Sequence, residues 1–411
     1  RSSPMRVIVI GASHAGIGFV DAMRRNGFDG ELVLLDALAG QPLERPPLSK
    51  AFLAADGDDD GRFALRKPDW FADNDIELID GCRVTAIHPH AQQVETASGE
   101  RMSFDRLVLA MGATPRRLAA AQGMDGVFEL RHSDDAARLR AAATEASSAI
   151  VIGGGYIGLE VAATLAKSGK DITVIEAAPR LLARVASPPI SSFFATLHAD
   201  AGTTVVTDAG VEDIAAADGA FSHVKLSDGR RLSADMLIVG IGVTPETALA
   251  EAAGIETGNG IPVDAGMQTS VPGIYAIGDG ALQRCNTHGV RIESVHNAQD
   301  SAERAAAAIN GHPPPADQAP WFWSEQFGLR LQSAGIVPAA GDDVVHLRRP
   351  GKRGDGFSIW SFRGDGLCAV EAVGDPAGYM LGKTCLEKGL SPPHGSVTDA
   401  AFDMKAFVAA K

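Results

Sequence analysis

Arg6-Val-Ile-Val-Ile-Gly-Ala-Ser-His-Ala-Gly16 and Ala149-Ile-Val-Ile-Gly-Gly-Gly-Tyr-Ile-Gly158 share one grammar. Each is a short apolar run that breaks at glycine. An amphipathic stretch follows, to Asn26 in the first case and Ser168 in the second. A second apolar run then ends on a carboxylate: Glu31-Leu-Val-Leu-Leu-Asp36 and Asp171-Ile-Thr-Val-Ile-Glu176. Strand, glycine turn, helix, strand and terminal acid make a βαβ unit with a dinucleotide fingerprint. Two such units predict two nucleotide-binding domains in one chain.

The fingerprint has a physical logic. A pyrophosphate sits against backbone N–H groups at a helix N-terminus, and a side chain at the turn would block it. Gly11 and Gly16 meet that demand in the first unit, with Ser13 at the middle position. Serine is small, and its hydroxyl is able to donate to phosphate. Asp36 lies 25 residues after Gly11, where a carboxylate accepts from ribose hydroxyls. His14, a lone histidine in the turn, is more often positional than catalytic. In the second unit Gly153, Gly155 and Gly158 complete the motif, and Glu176 follows Gly153 by 23 residues. A carboxylate there binds a ribose diol and repels a 2′-phosphate, so NADH is expected rather than NADPH. Ala177-Ala-Pro179 offers no cation to a phosphate; Arg180 and Arg184 follow later.

Strands ending in glycine recur at Leu107-Val-Leu-Ala-Met-Gly-Ala113 and Leu237-Ile-Val-Gly-Ile-Gly242, which read as crossings between domains. Ile274-Tyr-Ala-Ile-Gly-Asp279 is a further strand, with a helix over 297–309 and a linker at Gly311-His-Pro-Pro-Pro-Ala316. The remainder reads as strands at 329–336, 344–347, 357–362 and 367–373, then helices at 378–388 and 404–410. The expected architecture is α/β, with two Rossmann-type domains and a C-terminal α+β domain. The boundaries fall at 5–113 with 244–318, at 114–243, and at 319–411. Asp56-Gly-Asp-Asp-Asp-Gly61 reads as a solvated turn, because no later carboxylate completes a calcium loop.

Bulk properties narrow the function. The 411 residues are 45% hydrophobic and 21% charged, ordinary values for a globular chain. No apolar run approaches the ~18–20 residues that cross a bilayer. Arg1-Ser-Ser-Pro4 precedes Met5 without the apolar core of a signal peptide, and a cytoplasmic location is expected. A net charge of −14 argues against general nucleic-acid or anionic-membrane binding. The four cysteines, Cys82, Cys285, Cys368 and Cys385, include no C-x-x-C pair and suggest neither a disulfide framework nor a metal site.

With these motifs in view the chain resembles the FAD-dependent pyridine-nucleotide ferredoxin reductases, the putidaredoxin-reductase-like enzymes of bacterial haem monooxygenases and aromatic-ring dioxygenases. The resemblance covers nearly the whole chain. It rests on Glu44-Arg-Pro-Pro-Leu-Ser-Lys50, Leu109-Ala-Met-Gly-Ala-Thr-Pro-Arg116, the 153–160 stretch, Tyr275-Ala-Ile-Gly-Asp279, Arg291-Ile-Glu-Ser-Val-His-Asn297 and Pro320-Trp-Phe-Trp-Ser-Glu325. It departs from the family at Ser13, at Leu43 and at Gly280.

The resemblance implies a glutathione-reductase-like flavoprotein: an FAD domain interrupted by an NAD domain and followed by an interface domain. It implies that Arg45 and Pro46 lie along the FAD and that Lys50 sits near flavin N5, paired with Glu160. Asp279, preceded by Gly278, is expected to bond the ribitol from the start of a following helix. Ala15, Val84, Ala110 and Arg131 match further FAD contacts, and Val295 places a backbone group beside the ring. Tyr156, Ile157, Arg184 and Gly242 join the nucleotide-binding set. Trp323 is expected to stack near flavin and nicotinamide, in competition with a plain core role beside Trp321 and Phe322.

Hydride transfer needs nicotinamide C4 against flavin N5. Disulfide reductases of this fold pass the electrons to a cysteine pair, and related oxidases use one cysteine after the first βαβ unit. Residues 45–50 contain no cysteine. An external acceptor is left, and a one-electron 2Fe-2S ferredoxin suits a flavin. Such a partner is usually acidic, so a local basic patch is expected. Its candidates are Arg62, Arg66 and Lys67, Arg330, and Arg348-Arg-Pro-Gly-Lys-Arg353. A monomer is expected. The competing readings are an NADH:rubredoxin or nitrite-type reductase, an NADH oxidase, and a redox interaction protein resembling apoptosis-inducing factor.

Overall fold

The protein is seen in a computed structural model that describes residues 4–54, 61–283 and 291–410. The acidic stretch read at 56–60, and Cys285, lie outside the described residues. The chain forms two compact units. One comprises Arg1–Glu44, Asp59–Thr114 and Val243–Ala316; the other comprises Arg45–Asp58, Pro115–Gly242 and Asp317–Lys411.

The first unit is built on a five-stranded parallel sheet in the order Ile274–Ala276, Arg106–Leu109, Arg6–Ile10, Glu31–Leu35, Ile76–Ile79. Its central strand carries the first fingerprint. Val7, Ile8 and Val9 are fully buried, as a parallel strand covered on both faces requires. The helix His14–Arg25 follows, and a three-stranded antiparallel sheet (Val84–His88, Gln93–Thr96, Arg101–Ser103) precedes the return strand.

The second unit repeats this plan. Its parallel sheet runs Thr204–Val206, Asp171–Ile175, Ser148–Ile152, Met236–Val239, Val127–Phe128. The helix Tyr156–Lys167 follows the second fingerprint, and the antiparallel trio Val211–Ala217, Ala220–Leu226, Arg231–Ser233 precedes the return strand. Both glycine-ended strands from the sequence pair directly with their own fingerprint strand. The same unit carries a five-stranded antiparallel sheet in the order Trp321–Gln326, Leu329–Gly335, Gly366–Val373, Phe357–Arg363, Val344–Pro350. The helix Pro376–Glu387 packs on it so closely that a Cβ on Gly382 would lie 2.5 Å from Val370.

Three details differ from the sequence reading. Trp321–Gln326 is a strand, where the reading began its strands at 329; three successive aromatic residues after Pro320 favour extended backbone, and the strand lies at the edge of its sheet. A short helix occupies His394–Thr398. Asp279 sits in a single 3-10 turn, Gly278–Gly280, followed by a strand at Ala281–Gln283 rather than by a helix. The long helix starts only at Val295, where Ser294 caps it by accepting from the Asn297 N–H.

Candidate functional site

Two backbone cradles recur at the fingerprints. Gly11 has φ +107°, and a Cβ there would lie 2.2 Å from the Ala110 carbonyl oxygen. Gly153 has φ +109°, and its Cβ would lie 2.1 Å from the Gly240 carbonyl. At the third position, Cβ atoms on Gly16 and Gly158 would meet the carbonyls of Gly11 and Gly153 at 1.9 and 2.2 Å. These four glycines are demanded by the fold, since the helix must approach the turn that closely.

Gly155 is different. It caps the helix at an ordinary φ of −82°, and a Cβ there would meet no protein atom within 4 Å. The fold does not need glycine at this position. Open space over a helix N-terminus is what a dinucleotide pyrophosphate requires, and the site fits one. Ser13 holds the corresponding place in the first unit, capping the helix without lending its hydroxyl to it.

Glu176 closes the second cradle. Its Oε2 accepts from the Gly154 N–H at 2.7 Å and its Oε1 from the Ala178 N–H at 2.7 Å. Both oxygens are thus fixed at the strand end, each with lone-pair capacity left for a ribose hydroxyl. The Arg180 guanidinium donates to the Ala186 and Ala183 carbonyls and to Ser191 Oγ, so it is already engaged inside the fold. Arg184 is exposed, and its Nη2 lies 3.5 Å from where a Gly242 Cβ would be. Tyr156 starts the helix and meets the Phe322 ring with centroids 4.6 Å apart. Burial pushes its phenol well above the ordinary range, with the Glu371 and Glu160 carboxylates adding to the effect. Ile157, next to it, is exposed.

In the first unit Asp36 follows its strand, with its carbonyl accepting from the Cys82 N–H. A Cβ on Gly278 would lie 2.8 Å from the Ala15 Cβ, so these two candidates are in close approach. The Gly278 N–H donates to Ser301 Oγ at 2.9 Å, and Arg291 Nη1 donates to the Asp279 carbonyl at 2.7 Å. His14 is the first residue of its helix, Val84 begins an antiparallel strand, and Val295 begins the long helix.

The second unit brings together residues 110 apart in sequence. Arg45 precedes the 3-10 turn Pro46–Ser49, which delivers Lys50. Lys50 Nζ lies 2.8 Å from Glu160 Oε2 and donates to the Pro46 carbonyl at 2.9 Å. Glu160 is buried, and Lys50 is only 17% exposed. Ser49 Oγ donates to Glu160 Oε2 and Ser324 Oγ to Oε1, each at 2.6 Å. Lys50 Nζ also lies 4.8 Å from the Trp323 ring centroid, with the Arg330 guanidinium 5.0 Å from the same ring. Trp323 is half-buried, and both cations lie within cation–π range of its ring. Arg131, half-buried, precedes the helix Ser133–Glu145, and its backbone N–H donates to Asp135.

The sequence reading did not single out Ser49, Ser324, Gln326, His198 or Glu371. Gln326 Nε2 donates to Ser324 Oγ at 3.3 Å, and His198 Nε2 lies 2.8 Å from Gln326 Oε1. Alternation along Trp321–Gln326 would have flagged a serine and a glutamine on the face opposite Trp323.

Of the basic candidates, Arg349 is buried. Its guanidinium donates to the carbonyls of Ser396, Val397, Asp399 and Phe402, tying down the C-terminal segment. Burial and these four backbone acceptors make it a structural arginine rather than a surface cation. Arg348, Lys352 and Arg353 are exposed. Arg66 lies 4.9 Å over Trp70 and 3.6 Å from Asp21. Among the described cysteines, Cys82, Cys368 and Cys385 carry free thiols, and burial pushes Cys385 up to about 11. No described helix is long and apolar enough to cross a membrane.

The chain has full-length relatives among known proteins. Rhodocoxin reductase of Rhodococcus erythropolis is 39% identical over 410 residues, covering 98% of this chain and 95% of the relative. Rubredoxin-NAD(+) reductase of Pseudomonas putida is 35% identical over 383 residues, covering 90% and 96%. The solved covalent putidaredoxin reductase–putidaredoxin complex superposes with a TM-score of 0.93 at 35% identity, covering all of this chain and 99% of that one. The reductase C-terminal family matches residues 321–408. Two glycine cradles, a carboxylate at the strand end and a match over residues 5–302 place the chain in the pyridine nucleotide-disulphide oxidoreductase family.

Proposed function

We propose that this chain is an FAD-dependent NADH:ferredoxin reductase, which takes a hydride from NADH and delivers electrons to a 2Fe-2S ferredoxin of an oxygenase system. The observation that carries the reading is the buried Lys50–Glu160 pair, beside Trp323, in a chain that also holds two dinucleotide cradles. Gly11, Ser13, Ala15, Gly16, Asp36, Gly278 and Asp279 would hold the FAD. Gly153, Gly155, Gly158 and Glu176 would hold the NADH. Bound FAD supplies the chemistry, accepting a hydride and releasing electrons singly.

The protein's part is positioning and electrostatics. The Glu176 carboxylate, fixed by two backbone N–H groups, takes the ribose hydroxyls and opposes a 2′-phosphate. The Lys50 ammonium, held by Glu160 and the Pro46 carbonyl, favours negative charge on the reduced ring. The Trp323 ring lies within cation–π range of both Lys50 and Arg330. Ferredoxin docking falls to exposed cations, with Arg330, Arg348, Lys352 and Arg353 as the remaining C-terminal candidates.

The test is an anaerobic titration. Flavin absorbance should bleach with NADH and much less with NADPH, and the reduced protein should then pass electrons to a ferredoxin. Failure to bleach with either nucleotide would sink the reading. A second acceptor has support in the rubredoxin-NAD(+) reductase relative, so rubredoxin and oxygen are run alongside. Faster reduction of rubredoxin than of every ferredoxin tried would reassign the partner. Ferredoxin reduction should also slow as salt rises while dye reduction barely changes.

A further inference from the structure

Glu160 is held by more than its lysine. Its Oε2 takes Lys50 and Ser49, and its Oε1 takes Ser324 alone among the described hydrogen bonds. Ser324 is fully buried in the strand Trp321–Gln326. Its hydroxyl proton points to Glu160, so its oxygen is left to accept, and Gln326 Nε2 supplies the donor at 3.3 Å. That fixes the amide of Gln326 with its Oε1 outward, 2.8 Å from His198 Nε2. An amide oxygen only accepts, so His198 must carry its proton on Nε2. His198 is fully buried, burial lowers its pKa, and its Nδ1 finds no partner among the described residues. A neutral imidazole in that tautomer satisfies all of this. The hydrogen bonds then run one way, from His198 through Gln326 and Ser324 to Glu160.

We propose that Ser324 and Gln326 are positioning residues that lock the Glu160 carboxylate onto Lys50, so that the ammonium keeps one place and a fixed share of its charge. The proposal rests on the reading of Lys50 as the cation that serves the flavin. The series is an anchor and not a proton wire, because Gln326 in the middle has no proton to pass on without tautomerising. Its members come from three places, the strand Trp321–Gln326, the helices Tyr156–Lys167 and Pro188–Asp200, and each is buried. A hydrogen bond to a buried carboxylate is among the stronger ones, so deleting a single donor should be felt.

The experiment compares Ser324→Ala, Ser324→Thr, Gln326→Leu and Glu160→Gln in the flavin-loaded protein. Stopped-flow reduction by NADH and the flavin midpoint potential are the readouts. Without the Ser324 hydroxyl, Oε1 loses its donor, charge density returns to the carboxylate, and Lys50 is more fully neutralised. Ser324→Ala should therefore slow flavin reduction about tenfold and make the potential more negative, with the KM for NADH within about twofold of the parent. Ser324→Thr keeps the hydroxyl and should restore both. Gln326→Leu should move both in the same direction by less, and it serves if Ser324→Ala does not load flavin. A parent-like potential and reduction rate in a flavin-loaded Ser324→Ala or Gln326→Leu protein would overturn the proposal. If Glu160→Gln is also parent-like, the reading of the Lys50–Glu160 pair fails instead. A change in rate or potential, in either direction, confined to Glu160→Gln would overturn the positioning role alone.

Discussion

The Glu371 carboxylate lies wholly inside the C-terminal sheet and accepts the backbone N–H of Ser187 with its two oxygens, at 3.3 and 3.2 Å. Ser187 caps the helix Pro188–Asp200, so a carboxyl group from one element faces the N-terminus of another. Burial pushes Glu371 up to about 7, partly offset by Ser187 and by the charge of Arg180.

A pH dependence follows from that pair. The folded-state pKa is raised above the unfolded value of 4.5, so folding favours the protonated acid. The contribution is fully present below about pH 4.5, declines as pH rises, and is lost above about 7. The full swing is roughly 3 kcal/mol. Between pH 5 and 8 the parent should lose stability relative to Glu371→Gln, which has no such titration. Denaturant midpoints at several pH values check this, and parallel curves for the two proteins would contradict it.

The Lys50–Glu160 pair makes a kinetic prediction. Lys50→Gln should retain FAD, because many other groups are expected to bind it, yet slow hydride transfer by about 10²-fold, as loss of one charge-stabilising donor does. Stopped-flow bleaching at saturating NADH measures it. A reduction rate within twofold of the parent would show that the ammonium does not serve the flavin.

Two glycines of one motif should separate folding from binding. A Cβ on Gly158 would lie 2.2 Å from a backbone carbonyl, so Gly158→Ala should cost about 3 kcal/mol or more. A Cβ on Gly155 would meet no protein atom, so Gly155→Ala should cost no more than the roughly 1 kcal/mol of a poorer N-cap. It should nevertheless raise the KM for NADH at least about tenfold, by occupying space meant for the pyrophosphate. Melting curves and NADH kinetics on both variants decide it; normal NADH kinetics in Gly155→Ala would remove the ligand from that space.

Glu176 should carry nucleotide choice. Its two oxygens are already anchored, so the carboxylate cannot swing away from a 2′-phosphate. Glu176→Ala should lower the ratio of kcat/KM for NADH over NADPH by about tenfold or more, mainly through weaker NADH binding. Assays with both nucleotides check it. Arg180 should not rescue NADPH in this variant, because its guanidinium is committed to Ala183, Ala186 and Ser191.

Local pattern made a large part of this molecule legible. Glycine at 11, 16, 153 and 158, apolar strands buried on both faces, and acids at 36 and 176 are short-range requirements of one supersecondary unit, so they are written in consecutive residues. The Lys50–Glu160 pair was reachable only through resemblance, since nothing in either segment points to the other. Tertiary structure decided the rest. Ser49 and Ser324 reach Glu160 from strand and turn segments far apart in the chain, and Gln326 meets His198 from a different element again. It also took Arg349 out of the basic run and spent it on backbone carbonyls of the C-terminal segment. Glu371 is the one charged residue in an otherwise apolar strand, and only its tertiary burial turns it into a group that titrates near neutrality. The reason is common to all of these. Secondary structure follows from the periodicity of neighbours, whereas burial of a polar group, and the partner that makes burial tolerable, depend on which distant elements the fold brings together.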